Sequence, residues 1–103
     1  MMDVVLYRSF FKAFSNPTRL KILALLRQSP KNVSQICKFL DLEQSRVSHN
    51  LRCLSRCGFV EVRPNGKERI YALDDENIVP ILKSIDKHIG RYEARLAACG
   101  VIR

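Results

Sequence analysis

The chain has 103 residues, of which 47% are hydrophobic, and this length predicts a single domain with a modest core over residues 1–103. Lysine and arginine number 18 against 10 acidic residues, for a formal net charge of +8. Such an excess predicts an anionic partner, most naturally nucleic acid. No apolar run approaches the ~20 residues of a membrane span, and the start lacks a signal-peptide cleavage pattern, so we expect a cytoplasmic protein without a membrane partner.

The first part of the chain predicts two helices separated by a short break. The first covers Asp3 to Phe14, and its apolar side is too wide for a lone surface helix on a small domain. We therefore expect part of that side to contact a second subunit. Asn16 followed by Pro17 is a capping side chain with proline at the first helical position, so the second helix runs from about Pro17 to Gln28.

Two further helices follow with only a tight turn between them. The third covers Ser34 to Leu40, and the fourth covers Leu42 to Phe59, where Gly58 suits a left-handed C-terminal cap. A short turn between two helices, the second with a polar face, predicts a helix-turn-helix whose second helix reads DNA. The apolar positions of that recognition helix, at helical spacing, are Val47, Leu51 and Leu54.

The opposite face of the predicted recognition helix carries the side chains that we expect to contact DNA. Arginine can donate to guanine, glutamine can read adenine, and serine can bond a phosphate or a base edge. Arg46 should mainly hold phosphate, and His49 could alternatively be a surface residue without a base contact. The predicted DNA-binding residues of this helix are Gln44, Ser45, Arg46, Ser48, His49 and Arg52.

Beyond Gly58 the hydrophobic pattern changes to a period near two, over Phe59 to Arg63 and again over Glu68 to Leu73. Asn65-Gly66 between these runs is a strong β-hairpin signal. The tip is basic, which favours a wing that touches the phosphate backbone or the minor groove over a merely solvated face. The predicted DNA-binding residues of the wing are Arg63, Lys67 and Arg69.

A long last helix is predicted from Asp74 to about Ala98. Isoleucines and other large apolar residues recur along one side of it at helical spacing. This stripe favours a dimer interface over a ligand pocket. Together the elements predict an α+β, mostly helical, winged helix-turn-helix fold with about five helices and a two-stranded hairpin.

The four cysteines differ in their predicted surroundings. Cys53 and Cys57 are four residues apart on one helix, which places their Cβ atoms roughly 6 Å apart, on a flank between the DNA-facing and buried stripes. In a reducing compartment such a pair is more typical of metal ligands or redox switches than of a structural disulfide. The alternative is that both are small, semi-buried residues that only pack against the wing. Cys37 lies among apolar residues and is expected in the core.

Two stretches carry a family resemblance: FSNPTRLKILALL, and then VSQICKFLDLEQSRVSHNLRCLSRCGFVEVRPNGKERIYAL. In content and order they resemble the ArsR/SmtB family of winged-helix transcriptional repressors, over about Phe10 to Leu82. The resemblance implies a homodimer with the first and last helices at its interface. It also implies release of operator DNA when a metal ion binds or the redox state changes.

Members of this family differ in where the inducer binds. A CxC site at the third helix is missing here, because Asn32-Val33-Ser34 has no cysteine. The site on the last helix keeps only two of four ligands, since its positions hold Asp75, Asn77, His88 and Arg91. NLRCLSRCGFV is instead similar to the CmtR-type cadmium and lead sensors, which implies a thiolate site of Cys53, Cys57 and Cys99.

The sequence thus favours a repressor that binds palindromic operator DNA as a homodimer and releases it when cysteine thiolates bind cadmium, lead or trivalent arsenic. No organic cofactor is expected. Two alternatives stay open: a thiol redox or persulfide sensor of the same fold, and a constitutive winged-helix DNA-binding protein. An enzyme is disfavoured, because no nucleophile-base set, phosphate-cradling glycine loop or carboxylate pair stands out.

Overall fold

A computed structural model describes residues 1–100 of the chain. The last three residues of the predicted domain lie outside the described residues. The elements in chain order are α1 (Val4–Phe14), α2 (Pro17–Gln28), α3 (Val33–Leu40), α4 (Gln44–Arg56), β1 (Val60–Asn65), β2 (Glu68–Leu73) and α5 (Ile78–Ala98). Five helices and one hairpin in this order confirm the predicted winged helix-turn-helix fold.

Side-chain caps fix the starts of the first three helices. Asp3 accepts a hydrogen bond from the Leu6 backbone N–H at 3.2 Å, and Asn16 accepts one from the Arg19 backbone N–H at 3.1 Å. Asn32 forms a capping box with Gln35. Each cap satisfies N–H groups that have no partner inside the helix, so these boundaries are set locally by the sequence.

The turn between α3 and α4 is longer than the sequence suggested. Asp41 adopts a left-handed conformation with φ 53°, which ends α3, and α4 begins only at Gln44 rather than at Leu42. Aspartate tolerates this conformation better than most residues. At the other end α4 stops at Arg56, and Gly58 has φ +77°, as expected of a left-handed cap.

The wing is an antiparallel hairpin of β1 and β2. Asn65 pairs with Glu68, so the turn residues are Gly66 and Lys67 rather than Asn65 and Gly66. Gly66 has φ +65°, and a two-residue turn needs a positive φ at its first central position, which moves the turn one residue along the chain. At the other edge of β2, Tyr71 exchanges two backbone hydrogen bonds with Lys31, at 2.8 and 3.0 Å.

The hydrophobic core lies between α2, α3, α4 and the base of the wing. Aromatic rings join the end of α1 to that base: the Phe59 ring centroid lies 4.8 Å from that of Phe14 and 5.2 Å from that of Phe10. The fully buried side chains of the core are Ile22, Leu23, Ile36, Val47, Leu51 and Leu54. This core holds α4 against the rest of the domain.

Helix α5 begins at Ile78, four residues later than predicted, because Asp74 starts a turn. The Asp74 carboxylate accepts a hydrogen bond from the Glu76 N–H at 3.3 Å. Of the 21 residues of α5 only Ile78 is buried, and Tyr92 has a non-helical backbone (φ −120°, ψ 16°). In residues 1–100, no helix combines the length and apolar character needed to cross a membrane.

Candidate nucleic-acid interface

Helix α4 separates a buried face from an exposed polar face. Val47, Leu51 and Leu54 are buried in the core. Of the residues predicted to contact DNA, Ser48 is half-buried because it lies nearer the wing. The exposed ones are Gln44, Ser45, Arg46, His49 and Arg52. Five of the six side chains of this helix that were predicted to contact DNA are therefore accessible.

The basic residues of the wing differ in how they are held. The Arg63 guanidinium lies 2.6 Å from the Glu61 carboxylate and 3.7 Å from that of Asp75. Lys67 and Arg69 are exposed, and within residues 1–100 neither forms a salt bridge. Two of the three predicted wing cations thus have their charge available to a phosphate, whereas that of Arg63 is partly neutralised.

A groove of about 410 Å³ lies between the second half of α4 and the wing. Three arginines line it, together with three residues that carry hydroxyl groups and three apolar residues: Arg52, Arg56, Arg69, Ser48, Ser55, Tyr71, Val33, Leu51 and Val62. In the part of the chain that the structure describes, no carboxylate lines this groove. Cations and hydroxyl donors without an acidic neighbour favour an anion such as a DNA phosphate. Arg56 was not among the predicted DNA-binding residues, although its position in the last turn of α4, next to the predicted wing, could have indicated it.

A set of hydrogen bonds between α2 and α4 was also not predicted from the sequence. Arg46 Nη2 donates to Thr18 Oγ1 at 2.8 Å, and Arg19 Nε donates to Asn50 Oδ1 at 3.2 Å. Arg46 is therefore attached to the body of the domain while the residue stays exposed. The role of Asn50 could not be predicted, because a single polar residue among the apolar positions of a helix does not indicate which residue it will hydrogen-bond.

The two thiols of α4 lie away from the core. Cys53 is half-buried, and Cys57 is exposed and caps the helix, its N–H donating to the Cys53 carbonyl oxygen at 3.0 Å. Cys37 packs against the core as predicted. Cys99 is exposed and caps the C-terminus of α5, its N–H donating to the Arg95 carbonyl oxygen at 3.1 Å.

The three predicted thiol ligands do not form one cluster within a subunit. Among residues 1–100, no three side chains of histidine, cysteine, aspartate or glutamate are grouped so that they could hold a metal ion. One subunit in this conformation therefore offers the pair Cys53 and Cys57 on the flank of α4. Cys99 stays a predicted third ligand, which would need a second subunit or a movement of α5.

Sequence comparison identifies the family. The family described as "Bacterial regulatory protein, arsR family" matches residues 16–62. The chain is 32% identical over 88 residues to the "Cadmium resistance transcriptional regulatory protein CadC homolog" of Staphylococcus aureus, covering 84% of this chain and 70% of that protein. The chain belongs to the ArsR/SmtB family of winged-helix transcriptional regulators. This confirms the resemblance seen in the sequence.

Two further relatives extend the comparison. The chain is 33% identical over 73 residues to the "Probable mercury resistance operon repressor" of Streptomyces lividans, covering 71% of this chain and 58% of that repressor. It is 35% identical over 71 residues to the "HTH-type transcriptional regulator CmtR" of Mycobacterium bovis, covering 69% of this chain and 60% of that regulator. The chain thus spans less than two thirds of the length of both proteins.

Solved structures show the same fold. The crystal structure of Mycobacterium tuberculosis Rv0081 matches with a TM-score of 0.81 and 28% identity, over 93% of this chain and 99% of that one. The solution structure of Mb0332 from Mycobacterium bovis, described as a homodimeric winged helix-turn-helix DNA-binding domain, matches with a TM-score of 0.69 and 30% identity, over 79% of this chain and 74% of that one.

Proposed function

We propose that this protein is a metal-responsive transcriptional repressor. As a homodimer it binds palindromic operator DNA, and it releases that DNA when cysteine thiolates bind a thiophilic ion such as cadmium, lead or trivalent arsenic. The observation that carries the proposal is the position of Cys53 and Cys57 on the flank of the same helix that presents the DNA-reading face. A change at the thiols therefore acts directly on the reader.

On the DNA side, α4 would lie in the major groove with its exposed polar face towards the bases. Arg52 would donate to guanine and Gln44 would read adenine. Lys67 and Arg69 of the wing would bind phosphates, which fix the register of the helix on the duplex but carry no sequence information. The net charge of +8 fits this salt-sensitive binding.

The proposal that the protein is a dimer rests on the apolar sides of α1 and α5. Val4, Val5 and Leu6 of α1 and Ile81, Ile85 and Ile89 of α5 are all exposed. A small soluble domain seldom leaves so many large apolar side chains in water without a partner. The partner we assign is a second copy of this chain, because the structurally similar Mb0332 domain is homodimeric and a palindrome requires two readers.

The inducer site would use soft ligands. Thiolates select cadmium, lead and trivalent arsenic over hard ions, and two relatives have names that refer to cadmium resistance and mercury resistance. Cys53 in the last turn of α4 and Cys57 at its C-terminal cap would supply two thiolates. Cys99 at the end of α5 is the third ligand that we assign, contributed within the subunit or across the dimer.

A thiol redox sensor is a second candidate, favoured by the exposure of Cys57 and Cys99. A peroxide would take two electrons and two protons from two thiols to form one disulfide, and would itself be reduced. This version needs two cysteines rather than three. It would respond to oxidant in the absence of metal.

The test begins with a duplex that the reduced protein itself selects from a random-sequence pool. Fluorescence anisotropy then measures binding to this selected duplex with and without cadmium, lead or arsenite. Ultraviolet sulfur-to-metal absorption bands together with release of the duplex would support the proposal. Both should be lost in Cys53→Ser and Cys57→Ser and retained in Cys37→Ala, a matched control at a cysteine that packs against the core.

Two results would overturn parts of the proposal. Tight, selective binding that ignores every one of these ions would exclude the metal-sensor function, and release by peroxide would then favour the redox sensor. A protein that enriches no sequence from the pool would exclude the operator-binding function altogether.

A further inference from the structure

A buried amide lies on the inner face of α4. Asn50 is only 6% exposed, although its neighbours on that face are the core residues Val47, Leu51 and Leu54. Its Oδ1 accepts a hydrogen bond from Arg19 Nε at 3.2 Å, and its Nδ2 donates to the Arg46 carbonyl oxygen at 2.8 Å. Both ends of the amide are therefore satisfied, by α2 and by α4 itself.

The hydrogen bonds of Asn50 belong to a closed loop between the two helices. Arg46 Nη2 donates to Thr18 Oγ1 at 2.8 Å, and Thr18 is the chain neighbour of Arg19. Arg46 and Asn50 are one turn apart on α4. The start of α2 thus holds α4 at two points along the helix axis, which restricts both rotation about that axis and sliding along it.

The position of Arg19 argues that this loop is not incidental. Arg19 lies in the first turn of α2, where a positive charge opposes the helix dipole and where no acidic residue compensates it. Its backbone N–H is bound by Asn16, and its Nη1 lies 3.5 Å from the Ala13 carbonyl oxygen at the end of α1. A cation in this unfavourable place is held by contacts with α1, α2 and α4.

Hydrogen bonds constrain α4 in a way that the apolar contacts of its inner face do not. Apolar burial depends on the area removed from water and is non-directional. A hydrogen bond weakens steeply with distance and angle. Rotation of α4 would leave the buried Asn50 amide without its Arg19 partner, at the desolvation cost of an unmade bond. The loop therefore selects one rotational setting of the helix.

We propose that Asn50 is a positioning residue for DNA recognition. It contacts no DNA, and acts through Arg19 and Arg46 to set the rotation at which the exposed side chains of α4 meet the base edges. Base readout needs this setting, because hydrogen bonds to bases are directional. Non-specific binding does not, because phosphate contacts depend mainly on charge. This inference rests on the proposed function of α4 as the DNA reader.

The test compares two duplexes of equal length and base composition: the one selected by the wild-type protein, and a shuffled version of it. Asn50→Ala should weaken binding to the selected duplex by about 5- to 150-fold, the cost of about one lost base contact. Binding to the shuffled duplex should change less than twofold, and the slope of log affinity against log salt should stay constant, because no phosphate contact is removed.

Two further variants separate positioning from general loss of stability. Arg19→Lys keeps the charge but removes the Nε–H donor to Asn50. It should therefore lower the specificity ratio, which is the affinity for the selected duplex divided by that for the shuffled one, while Asn50 itself is unchanged. Ile36→Val removes a methylene group from a fully buried side chain on α3, and should lower the melting temperature without altering that ratio. All affinities are measured at a temperature where circular dichroism shows each variant folded.

The outcomes distinguish a failure of the positioning role from a failure of the proposed function. Suppose that the wild-type protein prefers the selected duplex. If Asn50→Ala and Arg19→Lys both keep the wild-type ratio of affinities for the two duplexes, the positioning role is overturned while the proposed function stands. The same conclusion follows if both variants lose affinity for the two duplexes equally. If wild-type protein itself does not distinguish the duplexes, the proposed function fails and the positioning role fails with it.

Discussion

Helices α4 and α5 have similar apolar stripes and opposite environments. In α4, Val47, Leu51 and Leu54 are at most 1% exposed. In α5, Ile81, Ile85 and Ile89 are 36%, 38% and 41% exposed. Helical periodicity marks the face that will be buried, but it does not say whether the covering surface belongs to the same chain. The position of α4 is determined within one subunit, whereas α5 has a face that one subunit does not cover.

The contacts of the two helices show the same contrast. The inner face of α4 packs in the core, and the helix is tied to α2 by a hydrogen bond from Arg46 to Thr18 and by one from Arg19 to Asn50. Helix α5 has 21 residues, and it is attached to the domain by Ile78, Val79 and Leu82 near its start, which pack in or against the core, and by an Arg27–Asp86 salt bridge of 2.7 Å. We infer that α4 serves DNA recognition and that α5 serves dimerisation.

A charge placed on the exposed apolar stripe of α5 should have the largest effect on assembly. Ile85→Asp should prevent dimerisation, and affinity for a palindromic duplex should fall by about 10²- to 10⁴-fold as the two half-sites lose their linkage. Sedimentation velocity and anisotropy measure the two effects. Lys83→Gln, which lowers the net charge by the same one unit at another exposed position of α5, is the matched control. A dimeric Ile85→Asp protein would contradict the interface assignment.

The same type of change on α4 should affect stability rather than assembly. Leu51→Ala removes a fully buried side chain and should lower the free energy of unfolding by about 2–5 kcal/mol, through lost burial and a residual cavity. Urea denaturation measures this effect. A cost below about 1 kcal/mol would mean that α4 is not held by the core as described.

Much of this architecture was predictable from the sequence, because its determinants are local. The caps at Asp3, Asn16 and Asn32 and the left-handed glycine at position 58 lie within a few residues of the boundaries that they fix. The start of α4 and the hairpin turn were each misplaced, by two residues and by one. Both depended on which residue takes a positive φ, and that was Asp41 in one case and Gly66 in the other.

The parts of the site that could not be predicted depend on contacts distant in the chain. Asn50 and Arg19 are 31 residues apart, and no local pattern indicates that they meet. Arg63 is a local exception: Glu61 lies only two residues away on the same strand, but the sequence does not show whether the two side chains pair. The distance from Cys99 to the α4 thiols depends on where α5 points. The thiol site therefore stays a prediction.

A smaller effect is expected at the groove between α4 and the wing. Arg56→Ala should weaken binding to the selected and shuffled duplexes about equally, and should reduce the slope of log affinity against log salt by about one, because it removes one phosphate contact. Lys12→Ala on α1 is the control for a generic loss of charge. An unchanged salt slope in Arg56→Ala would remove this groove from the DNA-binding surface.

The smallest expected effect is at the salt bridge that joins α5 to α2. The Arg27 and Asp86 side chains are 33% and 57% exposed, and exposed ion pairs contribute about 0–1 kcal/mol. Arg27→Gln should therefore change the free energy of unfolding by less than about 1 kcal/mol, measured by denaturation in low salt. A larger loss would show that the intrachain attachment, rather than a second subunit, holds α5 in place.

We propose that a thiophilic ion and operator DNA compete for binding because both act on one helix. The most direct test measures the cadmium affinity of the protein twice by chelator competition, once free and once saturated with the selected duplex. Linkage requires that DNA weaken cadmium binding by the same factor by which cadmium weakens DNA binding, typically 5- to 150-fold. We predict this reciprocal loss in the wild-type protein and its absence in Cys53→Ser. Equal cadmium affinities in the free and DNA-bound states would contradict the proposed competition between the ion and DNA.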